Sequence, residues 1–205
     1  MSTNEENVFI VGATGNIGSG IVRNLVKKGV KTTAYVRDER KGRELFAAEL
    51  QSGHLSFAVG DYSSVEEYSK AIEGHTRLFL LASVDTKTAA SIREVKGTLA
   101  QIAYEKGVRQ IVDLSSYTVR YYARQGRIGY LHASAEERLW ALAEEKPKER
   151  SLVVLRPAAF MSNHFMGDVR HVKQSNKLVG TAPSSGATTW IDTKGNRISS
   201  AELNL

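Results

Sequence analysis

Three glycines follow a short apolar run near the start of the chain, in the segment VFIVGATGNIGSG. The run Val8–Val11 is rich in β-branched and aromatic residues, which favours a strand buried on both faces of a parallel sheet. Gly12, Gly15 and Gly18 then suit a tight turn, the approach of a diphosphate to the backbone, and close packing of the next helix. A helix that begins there offers free N–H groups to phosphate oxygens. This spacing predicts a nucleotide site, with a purely steric glycine turn as the alternative.

The residues around the glycines supply the context that such a site needs. After them comes the amphipathic pattern of a helix, with Thr14 or Asn16 as its predicted N-cap. The segment Thr32–Val36 then reads as a second strand. Arg37 comes directly after that strand, where an arginine pairs with a 2′-phosphate and an acidic residue would instead bind the ribose hydroxyls. This favours NADP(H) over NAD(H), although the neighbouring Asp38 argues against it unless it only caps the next helix.

Apolar strands and amphipathic helices alternate along the rest of the chain. This order predicts an α/β fold, a doubly wound parallel Rossmann sheet whose ligands lie at the carboxyl ends of the strands. We expect a NAD(P)-binding domain over residues 7–160 and a partial substrate-side segment over residues 161–205. The helices are expected at Ile17–Lys28, Arg40–Leu50, Ser64–Ile72, Thr88–Lys106 and Ala133–Glu144. Trp140 is expected in the core.

Composition excludes several kinds of protein. The chain of 205 residues has no cysteine, which excludes disulfides, thiolate metal sites and a cysteine nucleophile, and we expect no metal site. No apolar run is long enough to span a membrane, and the polar start MSTNEEN is not a signal peptide, so a cytoplasmic protein with no membrane partner is expected. The net charge of +6 is interpreted as solvated helix faces and an anionic cofactor rather than a nucleic-acid surface.

A resemblance to a known family rests on six segments in order, namely GATGNIGSGIVRNLVKKG, YVRD, GDYSSVEE, RLFLLAS, GVRQIVDLSS and VVLRPAAFMSN. Together they resemble the NmrA-like family of atypical short-chain dehydrogenases/reductases. The resemblance implies a Rossmann fold with bound NAD(P). The members of this family include NADPH-dependent reductases of quinones and related acceptors, and redox-sensing regulators that bind the nucleotide without turning it over. The implied cofactor contacts are Gly12, Thr14, Gly15, Asn16, Ile17, Arg37, Asp61 and Ser83, beside Gly18 of the glycine turn.

Asp61 has two interpretations from its position after the third strand. Its carboxylate is placed to accept a hydrogen bond from the adenine amino group, or it is simply a turn or N-cap aspartate.

Candidate catalytic residues follow the fifth strand. Short-chain reductases use a serine there and a Tyr-x-x-x-Lys pair, whose lysine lowers the pKa of the tyrosine. Ser115 or Ser116 and Tyr130 stand at suitable spacings, but the residue four positions after Tyr130 is Ser134. The family pattern H-x-x-x-E-x-x-L is matched instead by His132, Glu136 and Leu139. His132 is therefore a candidate polar group beside the nicotinamide, with a structural histidine as the alternative.

Candidate substrate contacts are Tyr117, Phe160 and Asn163. The aromatic and basic residues of segment 117–130 are typical of a planar, cationic-rimmed pocket, with base stacking or a simple amphipathic loop as alternatives. After Asp192 the chain departs from the family pattern, which predicts that the C-terminal substrate lobe is largely missing and that exposed apolar surface favours a homodimer.

Two functions fit these observations. The first is an NADP(H)-dependent oxidoreductase that transfers hydride to a small carbonyl or quinone acceptor. The alternative is a non-catalytic NADP(H)-sensing protein that acts through a regulatory protein partner.

Overall fold

Six parallel strands form the centre of the computed structural model, which describes residues 6–82, 92–120, 126–160, 189–191 and 197–199. The chain divides into two units, Met1–Leu155 and Arg156–Leu205. In the first unit the sheet order is β3-β2-β1-β4-β5-β6, and every neighbouring pair is parallel. Its strands are β1 Asn7–Val11, β2 Lys31–Val36, β3 Leu55–Val59, β4 Arg77–Leu80, β5 Gln110–Leu114 and β6 Ser151–Leu155. This order confirms the predicted doubly wound α/β fold, whose direction of winding reverses between β1 and β4.

Helices cover both faces of this sheet. They are α1 Asn16–Lys27, α2 Glu39–Leu45, α3 Ala47–Leu50, α4 Val65–Ile72, α5 Ile92–Glu105 and α6 Arg127–Glu144, with a 3₁₀ turn at Tyr117–Val119. Buried side chains of α4, α5 and α6, such as Tyr68, Leu99 and Leu139, form one apolar cluster with β1 residue Phe9. Side chains of α1 form a second cluster on the opposite face, around Ile10. Burial on both faces explains why the strands are so apolar.

Two predicted helices differ from the structure by more than one residue at ends that the structure describes. The predicted helix Arg40–Leu50 is two helices, because Phe46 between them turns away with φ −114° and ψ 28° and is completely buried. Its ring packs 6.4 Å from that of Phe57. The last helix begins at Arg127 rather than Ala133, with Gly126 as its N-cap and Gly129 buried in its first turn.

Trp140 was expected in the core, and this prediction is wrong. Its side chain is 42% exposed. The buried side of α6 is formed by smaller residues and by Glu136, Leu139 and Leu142, and Trp140 lies beside that stripe rather than on it.

In the second unit the structure describes residues 156–158 and three strands. They are β7 Ala159–Phe160, β8 Thr189–Ile191 and β9 Arg197–Ser199. β7 pairs parallel with β8, and β8 pairs antiparallel with β9. No helix in the described ranges is both long and apolar enough to cross a bilayer.

Candidate functional site

The glycine turn connects β1 to α1, and two of its glycines lie so close to neighbouring backbone that a side chain there would collide with it. Gly12 has φ +79°, and a Cβ there would lie 2.6 Å from the carbonyl oxygen of Leu81, after β4. A Cβ on Gly18 would collide with the carbonyl oxygen of Gly12. The helix can therefore begin directly against the end of the strand only because both positions lack a side chain.

The start of α1 carries no side-chain cap, which corrects the prediction that Thr14 or Asn16 caps it. Gly15 is the N-cap in an extended conformation, and no side chain accepts a hydrogen bond from the first turn. Its own N–H donates to the carbonyl of Gly12 at 3.1 Å. Thr14, Gly15 and Asn16 are exposed, so the free N–H groups of the first turn face outward. Such donors, at the positive end of the helix dipole, fit the phosphate oxygens of a dinucleotide.

A cavity of about 480 Å³ lies at the carboxyl ends of β1, β2 and β3. It brings together five of the predicted cofactor residues, and it adds six that were not singled out as contacts. The lining residues are Gly12, Thr14, Gly15, Tyr35, Val36, Arg37, Gly60, Asp61, Tyr62, Ser63 and Leu81. Asn16, Ile17 and Gly18 are not in this lining, and Ser83 lies outside the described residues.

Arg37 stands apart from the other cations after β2. Arg40 pairs with Glu44 at 2.8 Å, and Arg43 pairs with Glu39 at 2.7 Å, each one helical turn away. Among the residues that the structure describes, the exposed Arg37 has no hydrogen bond or ion pair. Its charge is therefore the one in this segment that is available to a ligand.

Asp38 acts as the N-cap of α2, which was the favourable interpretation of this residue. Its Oδ1 accepts a hydrogen bond from the backbone N–H of Lys41 at 3.1 Å, and its Oδ2 lies 3.9 Å from the Lys41 ammonium. The backbone hydrogen bond from Lys41 is the main cause that lowers the pKa of Asp38. Asp38 is absent from the cavity lining.

Asp61 forms a turn, as one interpretation of the sequence predicted, and it also lines the cavity, while its contact with adenine stays a prediction. Its Oδ1 accepts from the N–H of Ser63 at 2.8 Å and from the Ser63 hydroxyl at 2.6 Å. These bonds, the side-chain bond first, lower the pKa of Asp61. Below it, the hydroxyl of Tyr35 donates to the Asp61 carbonyl at 2.8 Å and ties the end of β2 to the loop after β3. Burial is the main cause that raises the pKa of Tyr35 to about 12.

A second group of polar residues surrounds the end of β5. Lys96 of α5 is completely buried, and its ammonium lies 2.6 Å from Oδ1 of Asp113 and 2.8 Å from the Leu114 carbonyl. The hydroxyl of Ser115 donates to Oε1 of Glu136, on α6. Both of these side chains are almost fully buried. Burial is the main cause that raises the pKa of Asp113, while Lys96 opposes the shift.

His132 belongs to this group, one helical turn before Glu136. Its Nδ1 is buried and has no hydrogen-bond partner among the described residues. Burial, and next the charge of Lys96, lower the pKa of His132, while Glu136 raises it. Ser116 is placed differently from Ser115, because its hydroxyl oxygen accepts hydrogen bonds within the 3₁₀ turn, from the Thr118 N–H at 3.3 Å and the Thr118 hydroxyl at 2.9 Å.

The structure does not bring Tyr130 together with His132. Tyr130 is 64% exposed and lines a separate groove of about 420 Å³ with Arg93 and Glu137. Tyr117 is partly exposed after β5, and Phe160 is half-buried in β7 of the second unit. Asn163 lies outside the described residues. The roles assigned to Tyr130, Tyr117, Phe160 and Asn163 remain predictions.

Lys96 and Asp113 were missed as members of a site. Both carried a signal in the sequence, since Lys96 falls within the apolar stripe of its helix and Asp113 within the apolar strand QIVDL. A charge at such a position is rarely buried without a partner.

Comparison with known proteins assigns the chain to a family. A family model described as NAD(P)H-binding matches residues 12–186. The chain is 29% identical over 146 residues to sterol demethylase protein B of Methylococcus capsulatus, covering 68% of this chain and 40% of that protein. It is 30% identical over 105 residues to an NAD(P)H azoreductase of Xenophilus azovorans, covering 51% of this chain and 34% of that protein. The chain thus spans less than half the length of both relatives.

A solved structure supports the same fold. The triphenylmethane reductase of Citrobacter sp., complexed with NADP(H), superposes with a TM-score of 0.67 at 18% identity, covering 92% of this chain and 61% of that one. The family model covers well over half of the chain, and its match begins at the first glycine of the turn. In agreement with the predicted NmrA-like resemblance, the chain belongs to the NAD(P)H-binding family of Rossmann-fold proteins.

Proposed function

We propose that this chain binds NADP(H) in preference to NAD(H) and is the cofactor-binding part of a reductase of small carbonyl or quinone acceptors. The observation that carries the cofactor preference is Arg37, an exposed cation that lines the cavity and has no partner among the described residues. The family supports the nicotinamide nucleotide, and the reductase names of two similar proteins support the reaction class.

A 2′-phosphate differs from a 2′-hydroxyl by its charge and its additional acceptor oxygens. A guanidinium binds such a group through two parallel N–H bonds, and bonds of this kind to a charged group are worth about 1.5–3 kcal/mol. Arg40 and Arg43 hold glutamates of their own helix and would have to give up those pairs to bind a phosphate. Arg37 gives up no such pair.

Asp38 does not oppose this proposal. A carboxylate that recognises the ribose of NAD(H) would have to reach into the cavity, whereas Asp38 is engaged with the backbone and ammonium of Lys41. Part of its negative charge is therefore balanced before a ligand binds.

When bound, NADPH supplies a hydride. The free N–H groups at the start of α1 would hold its phosphates, and the loop of Asp61 and Tyr62 would hold its adenosine. The nicotinamide would supply the hydride at the carboxyl ends of the strands, where ligands of such sheets bind. The buried groups around Ser115 lie at that end of the sheet.

Titration of the chain with NADPH, NADP, NADH and NAD tests the cofactor preference. We expect tighter binding of the two phosphorylated forms, followed by nucleotide fluorescence and by the rise in Tm. Arg37→Gln should weaken NADPH binding about 10- to 100-fold and leave NADH binding within about twofold. Arg40→Gln removes a cation three residues away that is already paired, and it should change neither.

Equal binding of all four nucleotides, or an Arg37→Gln variant that retains the preference, would overturn the NADP(H) assignment. Turnover is measured separately, by oxidation of NADPH with an aldehyde or a quinone. Tight binding without turnover of either acceptor would instead favour a nucleotide-sensing protein.

A further inference from the structure

A second cavity, of about 300 Å³, lies at the opposite end of the sheet from the nucleotide cavity. Its lining comes from the residue before β1, from the starts of β4, β5 and β6, and from residues 147–150 of the turn between α6 and β6. The 5 residues of β1 run from this end to the glycine turn and span about 16 Å at the usual rise of a strand. In the described part of the chain the two cavities share no lining residue, so the nucleotide-binding role does not account for the second one.

The charged side chains of this second cavity do not cancel. Its lining contains four cations and two carboxylates, which gives it a net charge of +2. They are Arg77, Arg109, Lys148 and Arg150, with Glu6 and Glu149. A concave surface with an excess of one sign of charge raises the local concentration of ions of the opposite sign. The lining therefore favours an anionic ligand.

Two of these cations already have a carboxylate partner. Arg77 donates to both carboxylate oxygens of Glu6, at 2.8 and 2.9 Å. Arg150 donates to Glu145, which lies outside the lining, at 2.8 Å. A ligand would have to displace these carboxylates in order to bind either arginine, so neither is the group that an anion would reach first.

Both carboxylates of the lining are engaged as well. Besides its bonds from the arginine of β4, Glu6 accepts a hydrogen bond from the Thr76 hydroxyl at 2.6 Å. The ammonium of Lys146, which lies outside the lining, is 3.5 Å from Glu149. The negative charges of the cavity are thus balanced without the two remaining cations.

Those two cations are Arg109 and Lys148. The guanidinium of Arg109 lies 3.9 Å from Oε1 of Glu6, beyond hydrogen-bond distance, and its side chain is 51% exposed. Lys148 is exposed, and neither its ammonium nor its backbone N–H bonds to any residue that the structure describes. Two positive charges and their N–H donors therefore line the cavity with little to balance them.

We propose that this cavity is a second ligand site, which binds a dianionic phosphate group through Arg109 and Lys148. The charges match, because one dianion neutralises both cations, whereas a single carboxylate would leave one of them in excess. An arginine binds two phosphate oxygens through parallel N–H bonds, and a lysine adds a compact point charge. The ligand is therefore a small phosphate monoester or the phosphate ion itself. This site does not depend on the reductase function.

Titration with inorganic phosphate, followed by the backbone amide resonances in NMR, tests the site without any turnover. At about pH 8 phosphate is mainly dianionic, and the resonances of Arg109 and Lys148 should shift and saturate. Acetate at the same ionic strength should shift them little, because it carries a single charge. Methyl phosphate distinguishes the two sources of the group, since it should saturate the site if the ligand is a monoester and fail to do so if the ligand is the free ion.

Substitutions that change the charge of the cavity in opposite directions provide the matched variants. Arg109→Gln and Lys148→Gln should each weaken phosphate binding about 10-fold. Glu6→Gln removes a negative charge beside Arg109 and should tighten phosphate binding, a gain that a loss of folding cannot produce. Lys27→Gln removes an exposed cation outside the lining, whose charge is screened by salt, and should leave the affinity within about twofold.

Three results would overturn this site. The first is a shift of the Arg109 and Lys148 resonances that stays linear in phosphate or is matched by acetate, which shows screening by salt alone. The second is a set of shifts confined to Gly15 and Asn16, which places the phosphate at the cofactor turn. The third is phosphate binding that Arg109→Gln and Lys148→Gln leave unchanged. Saturation with NADPH should not alter phosphate binding at this site, and a failure of NADPH to bind would overturn only the cofactor proposal.

Discussion

The ammonium of Lys96 lies 2.6 Å from Oδ1 of Asp113, and neither side chain is exposed to solvent. The pair connects α5 to β5, two elements that also contribute Leu99, Ala100 and Ile111 to the apolar core. Removing two charges from water is costly, and their attraction offsets this cost only while both are present. The relationship between these two residues therefore determines how the core responds when either one is changed.

Lys96→Met should destabilise the fold by about 3–5 kcal/mol, because it leaves the Asp113 carboxylate buried without its cation. The free energy of unfolding from urea denaturation, followed by circular dichroism, measures this loss. Lys96→Met with Asp113→Leu should recover most of it, since an apolar pair in the same space leaves no charge behind.

Lys106→Met is the matched control, at the residue that directly follows α5. Lys106 pairs with Glu73 at 3.0 Å, but both side chains are exposed. Its loss should cost less than about 1 kcal/mol. A Lys96→Met variant no less stable than Lys106→Met would contradict the electrostatic importance of the buried pair.

The cofactor end of the fold could be predicted from the sequence because its determinants are local. Gly12, Gly15 and Gly18 lie within one turn, and Arg37 directly follows a strand, so their places depend on a few neighbouring residues. The alternation of apolar runs with helical patterns is equally local, and it predicts the parallel sheet. The match of the family model to residues 12–186 confirms the NAD(P)H-binding family, and the sheet order confirms the predicted fold.

The cluster at the end of β5 could not be predicted in the same way. Lys96 and Asp113 are far apart in the sequence, and only the packing of α5 on β5 brings them together. The interruption between α2 and α3 at Phe46 has a similar origin. The residues next to Phe46 in the sequence carry no signal that ends a helix, whereas its ring packs against that of Phe57, on β3. Trp140 was misplaced because it lies at the edge of the apolar side of α6, next to the buried Leu139, and the pattern alone does not show where that side ends.

Glu6 should contribute to stability only above acidic pH. It accepts hydrogen bonds from Arg77 at 2.8 and 2.9 Å and from the Thr76 hydroxyl at 2.6 Å. These bonds, that of Arg77 first, lower the pKa of Glu6 from 4.5 to about 2. Because the pKa is lower in the folded state, the contribution is complete above pH 4.5 and is lost as pH falls toward 2.

This pH dependence is checked by measuring the Tm of the native chain and of Glu6→Gln from pH 7 to pH 2. The difference between the two should be constant down to about pH 5 and then shrink, with a modest size because the pair is partly exposed. Glu144→Gln is the exposed control. A difference between native chain and Glu6→Gln that grows as pH falls would contradict the prediction.

Tyr35→Phe should weaken nucleotide binding without affecting the phosphate turn. The hydroxyl of Tyr35 donates to the Asp61 carbonyl and holds the loop that lines the cavity. Its loss should cost about 1 kcal/mol of stability and lower the affinity for NADPH several-fold, since the loop is less well ordered before binding.

Tyr104→Phe is the control for this prediction. Its hydroxyl also donates to a backbone carbonyl, that of Ser151 at 2.9 Å, and burial likewise raises the pKa of Tyr104 to about 12. It lies outside the cavity lining, so it should lose similar stability and no affinity. Equal loss of NADPH affinity in both variants would show that global stability, and not the Asp61 loop, limits binding.

Gly18→Ala and Gly20→Ala differ by two positions in α1 and should have opposite effects. A Cβ at Gly18 collides with the Gly12 carbonyl, so the helix must move away from the turn, and both stability and NADPH affinity should fall sharply. A Cβ at Gly20 has no atom within 4 Å apart from its chain neighbours and the backbone of its own helix, so alanine there should stabilise the helix by about 0.5–1 kcal/mol and leave binding unchanged. Calorimetric titration with NADPH and urea denaturation of both variants measure this. Normal NADPH binding by Gly18→Ala would mean that the close contact between helix and turn does not form the phosphate site.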